Sequence, residues 1–370
     1  MRKYGYELVE ALQSQQTATD CNGGPVIIKV NPEEARSGYL DPREVEAQQV
    51  GYRYDAELGK VNPLQAVRDS MGFPSRNLNT VETHTQYERL NFDGNEVGLW
   101  RYYPRKPERK EGRPCLIYLH GGGWIGGSVY TLEHQCRLIA ELADAVVFNI
   151  DYSLAPEKKF PHGFNDCFHA VSHIYDHADD YGIDRTRITV AGDSAGGNLT
   201  AAVALKDRDL GTHMVALQVL IYPCVTFVSQ GIEGYKWDAS EFELSDEQRA
   251  MIEPMLGLGR PRDDEKEMND MYLESPSQLR NPYVSPALAD SKGLPPAICI
   301  GAEFDGLRIQ TEFYARKLAA AGVSVKTIRY KGCTHAFFDK LGFVPQAEDV
   351  CIEIANAMKQ LLSAPGNEVV

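Results

Sequence analysis

Two glycine-rich stretches carry residue types that do chemistry. The first runs His120-Gly121-Gly122-Gly123-Trp124-Ile125-Gly126-Gly127-Ser128 and follows an apolar run. Read one way, Gly121, Gly123 and Gly126 spell G-x-G-x-x-G, a loop whose amides hold a dinucleotide's pyrophosphate. Read another way, His120 to Gly123 is a turn whose bare N–H groups stabilise a negative oxygen during acyl transfer. The second stretch, Ile188–Ser194, reads ITVAGDS and continues AGGN, so an apolar strand ends at Gly192-Asp193-Ser194-Ala195-Gly196-Gly197. This is G-x-S-x-G between a strand and a helix. A serine on so sharp a turn is forced into strained backbone that lifts its hydroxyl clear of the sheet. The residues two before and two after it crowd together, where only small ones fit. The helix opening at Ala195 points its first amides to where an oxyanion would develop.

The dinucleotide reading has support of its own, because Asp151 ends the next strand, where a ribose-binding acid sits. Fingerprint glycines, however, open the helix themselves, and here helical pattern resumes only near Leu132. An oxyanion loop follows an early strand, precedes the serine elbow and shares a donor from the residue after the serine. Gly122, Gly123 and Ala195 meet that description and are the expected oxyanion donors.

The elements that must position these residues are legible as alternating texture. Tyr87–Phe92 and Glu96–Tyr103 flank Asp93-Gly94, a hairpin signal. Apolar runs at Cys115–Leu119, Ala145–Ile150, Ile188–Ala191, Leu217–Tyr222, Ala297–Gly301 and Val325–Tyr330 read as buried strands. Between and after them Leu132–Leu142, Phe164–Ala178, Ala195–Lys206, Gln310–Ala321 and Glu348–Leu362 read as helices. Alternation of this kind implies an α/β fold, a mostly parallel sheet with helices on both faces. Residues 1–85 hold short helical pieces, Leu8–Leu12 and Pro63–Met71 the clearest, and one strand-like run, Pro25–Val30. Residues 224–285 show helical pieces and no convincing strand, and read as an insertion that forms a lid with the N-terminal region. The catalytic domain is then 86–370.

Bulk properties narrow the function classes. The 370 residues are 43% hydrophobic and 24% charged with a net charge of -14, which argues against nucleic-acid or anionic-membrane partners. The densest basic run, Arg105–Lys110, is broken by proline and glutamate and reads as a solvated loop. No apolar run is long enough for a bilayer span, and the N-terminus has no apolar core of a signal peptide. The eight cysteines are scattered singly with no C-x-x-C, so buried thiols in a cytoplasmic setting are expected.

The order HGGGW, DYSLAPEKKFP (Asp151–Pro161), GDSAGGN, LIYP (Leu220–Pro223), NPYVSP (Asn281–Pro286), AEFDGL (Ala302–Leu307) and THAFF (Thr334–Phe338) resembles the hormone-sensitive-lipase-like family of α/β-hydrolases. The resemblance covers residues 88–362, and its wording is most similar to the acetyl-esterase branch. It implies an α/β-hydrolase fold and a nucleophile–acid–histidine order. Ser194 is then the nucleophile and His335, which alone of nine histidines follows the last strand, the base. The strand ending at Gly301 delivers both Glu303 and Asp305; the family motif puts the acid at Asp305 and leaves Glu303 as a supporting partner. His120, Gly121 and Asp193 are expected to support the loop and elbow. Three positions depart from the family pattern: Gly306 for proline, Ile309 for an acidic residue and Ala336 for glycine.

The resemblance implies a serine carboxylesterase acting on short-acyl esters through an acyl-serine, with a small-molecule substrate and neither metal nor organic cofactor. Two alternatives use the same scaffold: a formamidase-like amide hydrolase, and a non-catalytic binding protein. The oligomeric state is open, and a homodimer is compatible with the sequence. His169, His173 and His177 share one helix face at metal-binding spacing. With no carboxylate or cysteine pattern beside them, a solvated face is expected. Tyr152, Pro156 and Glu157 read as a structural turn.

Overall fold

The computed structural model describes residues 1–92, 94–105, 111–228, 230–258 and 270–361. Asp93 of the hairpin turn, Lys106–Lys110 of the basic run and Leu362 lie outside the described residues, as do Ser229 and residues 259–269 of the insertion. Among the described residues ten strands form one sheet: β1 (Ala18–Asp20), β2 (Pro25–Lys29), β3 (Thr83–Phe92), β4 (Asn95–Pro104), β5 (Arg113–Leu119), β6 (Val146–Asp151), β7 (Ile183–Asp193), β8 (Leu217–Ile221), β9 (Ala297–Phe304) and β10 (Val325–Thr334). Their order is β1-β2-β10-β9-β8-β7-β5-β6-β4-β3. From β2 across to β6 every neighbouring pair is parallel, while β4 and β3 join antiparallel at one edge and β1 at the other. This is the mostly parallel sheet expected from the strand–helix alternation, in the α/β-hydrolase arrangement that the family resemblance implies.

The parallel strands are apolar because helices cover both faces. β5, β8 and β9 are buried along their whole length. Side chains alternate between faces with the strand period. Leu116, Tyr118, Val147 and Val219 pack with α5 (Glu133–Ala143) and the Pro345–Gln360 helix. Cys115, Ile117, Phe148 and Ile150 pack with α6 (His162–Asp176) and α7 (Ala195–Leu210). The helix Arg308–Ala320 packs against β9 and β10. Among the described residues no helix is long and apolar enough to cross a membrane.

Residues 1–85 hold four short helices, α1 (Tyr6–Gln13), α2 (Pro42–Val50), α3 (Ala56–Val61) and α4 (Pro63–Asp69). They are not helical throughout. β2 runs parallel to β10, pairing Ile27 with Ile328, and β1 folds back on β2. A five-residue strand whose partner lies at the far end of the chain leaves no local sign of which edge it joins, so the sequence shows the strand and not its place. Between β8 and β9 the described residues form only short helical turns, including Ala239–Glu241, Arg249–Ile252 and Pro276–Arg280.

Candidate active site

β7, β9 and β10 end at the same edge of the sheet, and each releases one side chain there: Ser194 after β7, Asp305 after β9 and His335 after β10. Carboxyl ends of parallel strands are where open α/β sheets bind ligands. Ser194 sits at φ 54°, ψ −117°, a sparsely populated region for a residue with a Cβ. Its amide donates to the Ile221 carbonyl at 2.9 Å. A Cβ on Gly192 would lie 2.3 Å from the Gly196 carbonyl oxygen, and one on Gly196 would lie 1.9 Å from that of Leu119. The turn closes only because both are glycine.

The His335 ring joins the other two residues. Its Nδ1 lies 2.7 Å from Asp305 Oδ2 and its Nε2 3.0 Å from Ser194 Oγ. A carboxylate only accepts, so Nδ1 carries the proton and Nε2 is free to accept the serine hydroxyl. Asp305 is buried, and its other oxygen accepts the Leu307 amide at 2.8 Å. Packing around the ring disfavours imidazolium, but the charge and hydrogen bond of Asp305, with the charges of Asp193 and Asp339 behind them, raise the pKa of His335 above its ordinary value.

The three amides of Gly122, Gly123 and Ala195 are each aimed from behind. In a trans peptide the N–H points opposite the carbonyl of the same unit, so whatever holds the carbonyl sets the amide. The Gly121 carbonyl, paired with the Gly122 amide, accepts His120 Nδ1 at 2.8 Å. The Gly122 carbonyl, paired with the Gly123 amide, accepts from Ile125 and Gly126 at 3.2 and 2.9 Å. The Ser194 carbonyl, paired with the Ala195 amide, accepts from Asn198 and Cys224 at 3.1 and 3.4 Å. Among the described residues none of the three amides has an acceptor of its own. Gly122 and Gly123 take φ of 121° and 60° to make this turn. His120 is buried, stacked on Tyr152 at 4.4 Å, and burial lowers its pKa to about 4. It therefore stays neutral, with Nδ1 the donor to Gly121. Asp193 Oδ1 ties elbow to loop, accepting the Gly121 amide at 2.8 Å and the Tyr118 hydroxyl at 2.9 Å.

A serine hydroxyl bonded to an imidazole that is in turn oriented by a carboxylate is a constellation for acyl transfer. A family model described as the alpha/beta hydrolase fold matches residues 116–339. This chain is a hormone-sensitive-lipase-like α/β-hydrolase. The hydrolase is 34% identical over 316 residues to an arylesterase of Saccharolobus solfataricus, spanning 84% of this chain and 92% of that one. It is 33% identical over 284 residues to the carboxylesterase NlhH of Mycobacterium tuberculosis, spanning 76% and 84%. The solved structure of a hyperthermophilic esterase from Pyrobaculum calidifontis matches it with a TM-score of 0.69 at 32% identity, over 88% of this chain and all of that one. The hydrolase is a carboxylic ester hydrolase.

Other residues singled out in the sequence of the hydrolase fall as follows. Helix α5 starts only at Glu133, so Gly121, Gly123 and Gly126 do not open a helix and the dinucleotide geometry is not formed. Glu303 accepts the Gly332 amide at 2.7 Å, bracing the strand before His335. The Gly306 carbonyl accepts the Trp237 indole N–H from the insertion at 2.9 Å, and Ile309 packs with Leu40, Phe242, Leu256 and Phe304. Ala336 takes φ 58°, a conformation that suits glycine. Of the histidine face His177 is exposed as expected, but His169 and His173 are half-buried: Phe92 of β3 packs tilted and edge-on against both rings, and His173 bonds the Tyr181 hydroxyl. The hairpin, packed across α6, covers a stripe whose polarity reads as exposed. Among the described residues no group of three or more His, Cys, Asp or Glu is placed to hold a metal ion.

Sequence reasoning passed over three residues. Glu44 of α2 is buried and accepts the Thr334 hydroxyl and the Lys340 ammonium, beside His335. Asp339 is buried and electrostatically linked to Asp193 and His335. Arg68 of α4 bonds the glycine loop. Glu44 and Arg68 act across long sequence separations, the signal for Arg68 being its partner Glu157 within the family-like DYSLAPE stretch, whereas Asp339 directly follows the THAFF stretch that holds His335.

Proposed function

We propose that the hydrolase cleaves short-acyl carboxylic esters with Ser194 as nucleophile, His335 as general base and Asp305 as its orienting acid. The observation that carries the reading is the continuous chain from Asp305 through His335 to Ser194, at 2.7 and 3.0 Å, beside three acceptor-free amides. Ser194 Oγ adds to the ester carbonyl while His335 Nε2 takes its proton. The carbonyl oxygen becomes an oxyanion held by the amides of Gly122, Gly123 and Ala195, each donor worth on the order of 3 kcal/mol in the transition state. The C–O bond to the alcohol breaks, and His335 returns the proton to the leaving oxygen. Water then adds to the acyl-Ser194 with His335 again as base, releasing the acid and restoring the serine.

Bulk beside the elbow supports a short acyl group. Trp124, next to Gly123, stacks on Tyr272 at 4.6 Å and packs against Phe227 at 5.0 Å, in the same apolar cluster as Ala195. The cover proposed for residues 1–85 and the described part of 224–285 is supported by the contacts of Glu44, Arg68 and Trp237 with residues beside the site. With p-nitrophenyl esters of increasing acyl length, kcat/KM is expected to peak at the short members and fall beyond butanoate. Ser194→Ala should drop kcat to roughly 10⁻⁴ of wild type or below with its circular dichroism intact. Matched anilides turned over as fast as the esters would instead make it an amide hydrolase.

A further inference from the structure

The glycine loop is gripped from outside by one side chain of the N-terminal region. Helix α4 is capped by Asn62, which accepts the Gln65 amide, and has Pro63 in its first turn. That fixes the helix and presents Arg68 at its end. All three guanidinium nitrogens of Arg68 are used. Nε donates to the Ile125 carbonyl at 2.6 Å, and Nη2 to the Ala155 carbonyl at 3.1 Å. Nη1 and Nη2 also pair with the two oxygens of Glu157 at 2.8 and 2.7 Å. The fit is tight: a Cβ on Gly126 would lie 2.5 Å from Met71 Sδ and 3.2 Å from Arg68 Cγ.

Ile125 is the residue through which the grip reaches the site. Its amide, with that of Gly126, holds the Gly122 carbonyl and so aims the Gly123 N–H. Arg68 holds the carbonyl of the same residue. The neighbouring Trp124 carbonyl is bonded by the Ala155 amide, and Arg68 holds the Ala155 carbonyl as well. Glu157 keeps the guanidinium in its plane through the paired fork geometry that lysine lacks. Arg68 therefore fixes both sides of the turn whose inner face carries the Gly122 and Gly123 amides.

We infer that Arg68, oriented by Glu157, is a positioning residue for the oxyanion loop, so that the N-terminal region is part of what makes the site competent and not only its cover. The inference rests on the oxyanion reading of Gly122 and Gly123. A residue acting this way supports charge in the tetrahedral state more than it supports ester binding.

The test uses the full chain, p-nitrophenyl acetate, and an alkyl trifluoromethyl ketone, to whose carbonyl a serine hydroxyl adds to give a hemiketal oxyanion. Arg68→Ala should lower kcat about tenfold, in line with the cost of misplacing a preorganised group, with KM changed less than about twofold. The ketone's Ki should rise by about the same factor as kcat/KM falls. Arg68→Lys should fall between, and Glu157→Gln should shift kcat and Ki in the same direction by a smaller factor. If Arg68→Ala does not fold, Arg68→Lys and Glu157→Gln carry the test on the same readouts. Folded variants with unchanged kcat and Ki, a rise confined to KM, or a lower melting temperature alone would overturn the inference. A wild type that the ketone does not inhibit, or a Ser194→Ala variant that keeps turning over, would instead remove the oxyanion reading and this inference with it.

Discussion

In the reaction proposed for Ser194, His335 has to be neutral to accept the serine proton, so the acid limb of kcat/KM reports what surrounds the ring. Packing pushes its pKa down, Asp305 pushes it up by charge and hydrogen bond, and Asp193 and Asp339 add negative charge; the result lies above 6.5. Activity should therefore fade as pH drops through a value above 6.5. Asp193 offers a way to move that limb while leaving the Asp305–His335–Ser194 chain intact. Its carboxylate is buried, which raises its pKa to about 6 against the bonds from Tyr118 and Gly121. Asp193→Asn keeps an oxygen for both donors and removes the charge, so the limb should shift to lower pH. The stability effect has a definite sign. A carboxylate whose folded pKa exceeds its unfolded 3.8 contributes stability that is full below that value and is lost as pH rises through about 6. At pH 8 the wild type carries the whole penalty, so Asp193→Asn should melt higher there, with the difference closing by pH 4. An unmoved limb together with a pH-independent melting difference would show that this buried charge is not felt at the site.

At the scale of the loop and elbow, the decisive feature is how little room there is for a side chain. A Cβ on Gly122 would lie 2.2 Å from the Gly126 carbonyl oxygen, and φ is 121°. Gly122→Ala should therefore open the turn and take the Gly122 and Gly123 amides out of line. Losing one such donor lowers kcat by about 10²–10³, and this variant should lose at least that while its near-ultraviolet circular dichroism stays native. A wild-type rate would show that these amides do not meet the transition state. Such local features are the ones legible in sequence. Strand-to-turn transitions at Leu119 and Asp193 are written in contiguous residues, because a buried parallel strand is a run of apolar side chains and a tight turn demands glycine on the spot, whereas the strands expected to stop at Gly301 and Tyr330 run on to Phe304 and Thr334 through residues that break the apolar run. The grip of Arg68 on the Ile125 carbonyl and of Glu44 on Thr334 is not legible, because in each an ordinary surface-type charged residue bonds an element that it meets only once folded. The histidine face of α6 misleads for the same reason: its cover, Phe92, comes from a hairpin two strands earlier in the chain.

Over the whole molecule, the N-terminal region is fastened across the sheet edge to the helix Pro345–Gln360. Arg2 and Tyr4 both bond Glu348, and Lys29, at the end of β2, is wholly buried against Asp349 and Glu353 of the last helix at 2.5 and 2.6 Å. The Tyr330 hydroxyl and Gln13 also donate to Asp349, and Lys326 to Glu353. A lysine in a five-residue strand reads as an exposed edge residue, and only the return of the C-terminal helix over β2 makes it interior. A buried ion pair of this kind adds little over an apolar replacement of all partners, but removing one member leaves uncompensated charge and costs about 3–5 kcal/mol. Lys29→Met should lower the unfolding free energy in urea by about that amount. The kcat of the folded variant on p-nitrophenyl acetate should be unchanged, since Lys29 bonds no residue of the site. Lys29→Met combined with Asp349→Asn should recover part of the loss. Asparagine keeps one acceptor oxygen for Gln13 and turns its NH2 to the Tyr330 hydroxyl, which accepts as well as donates, while the carboxylate left without its cation is removed; Glu353 retains Lys326. If the double variant is less stable than Lys29→Met alone, the cost lies in packing around β2 and not in unpaired charge, and the N-terminal strands are held to the sheet by Ile27 and its backbone ladder to β10 instead.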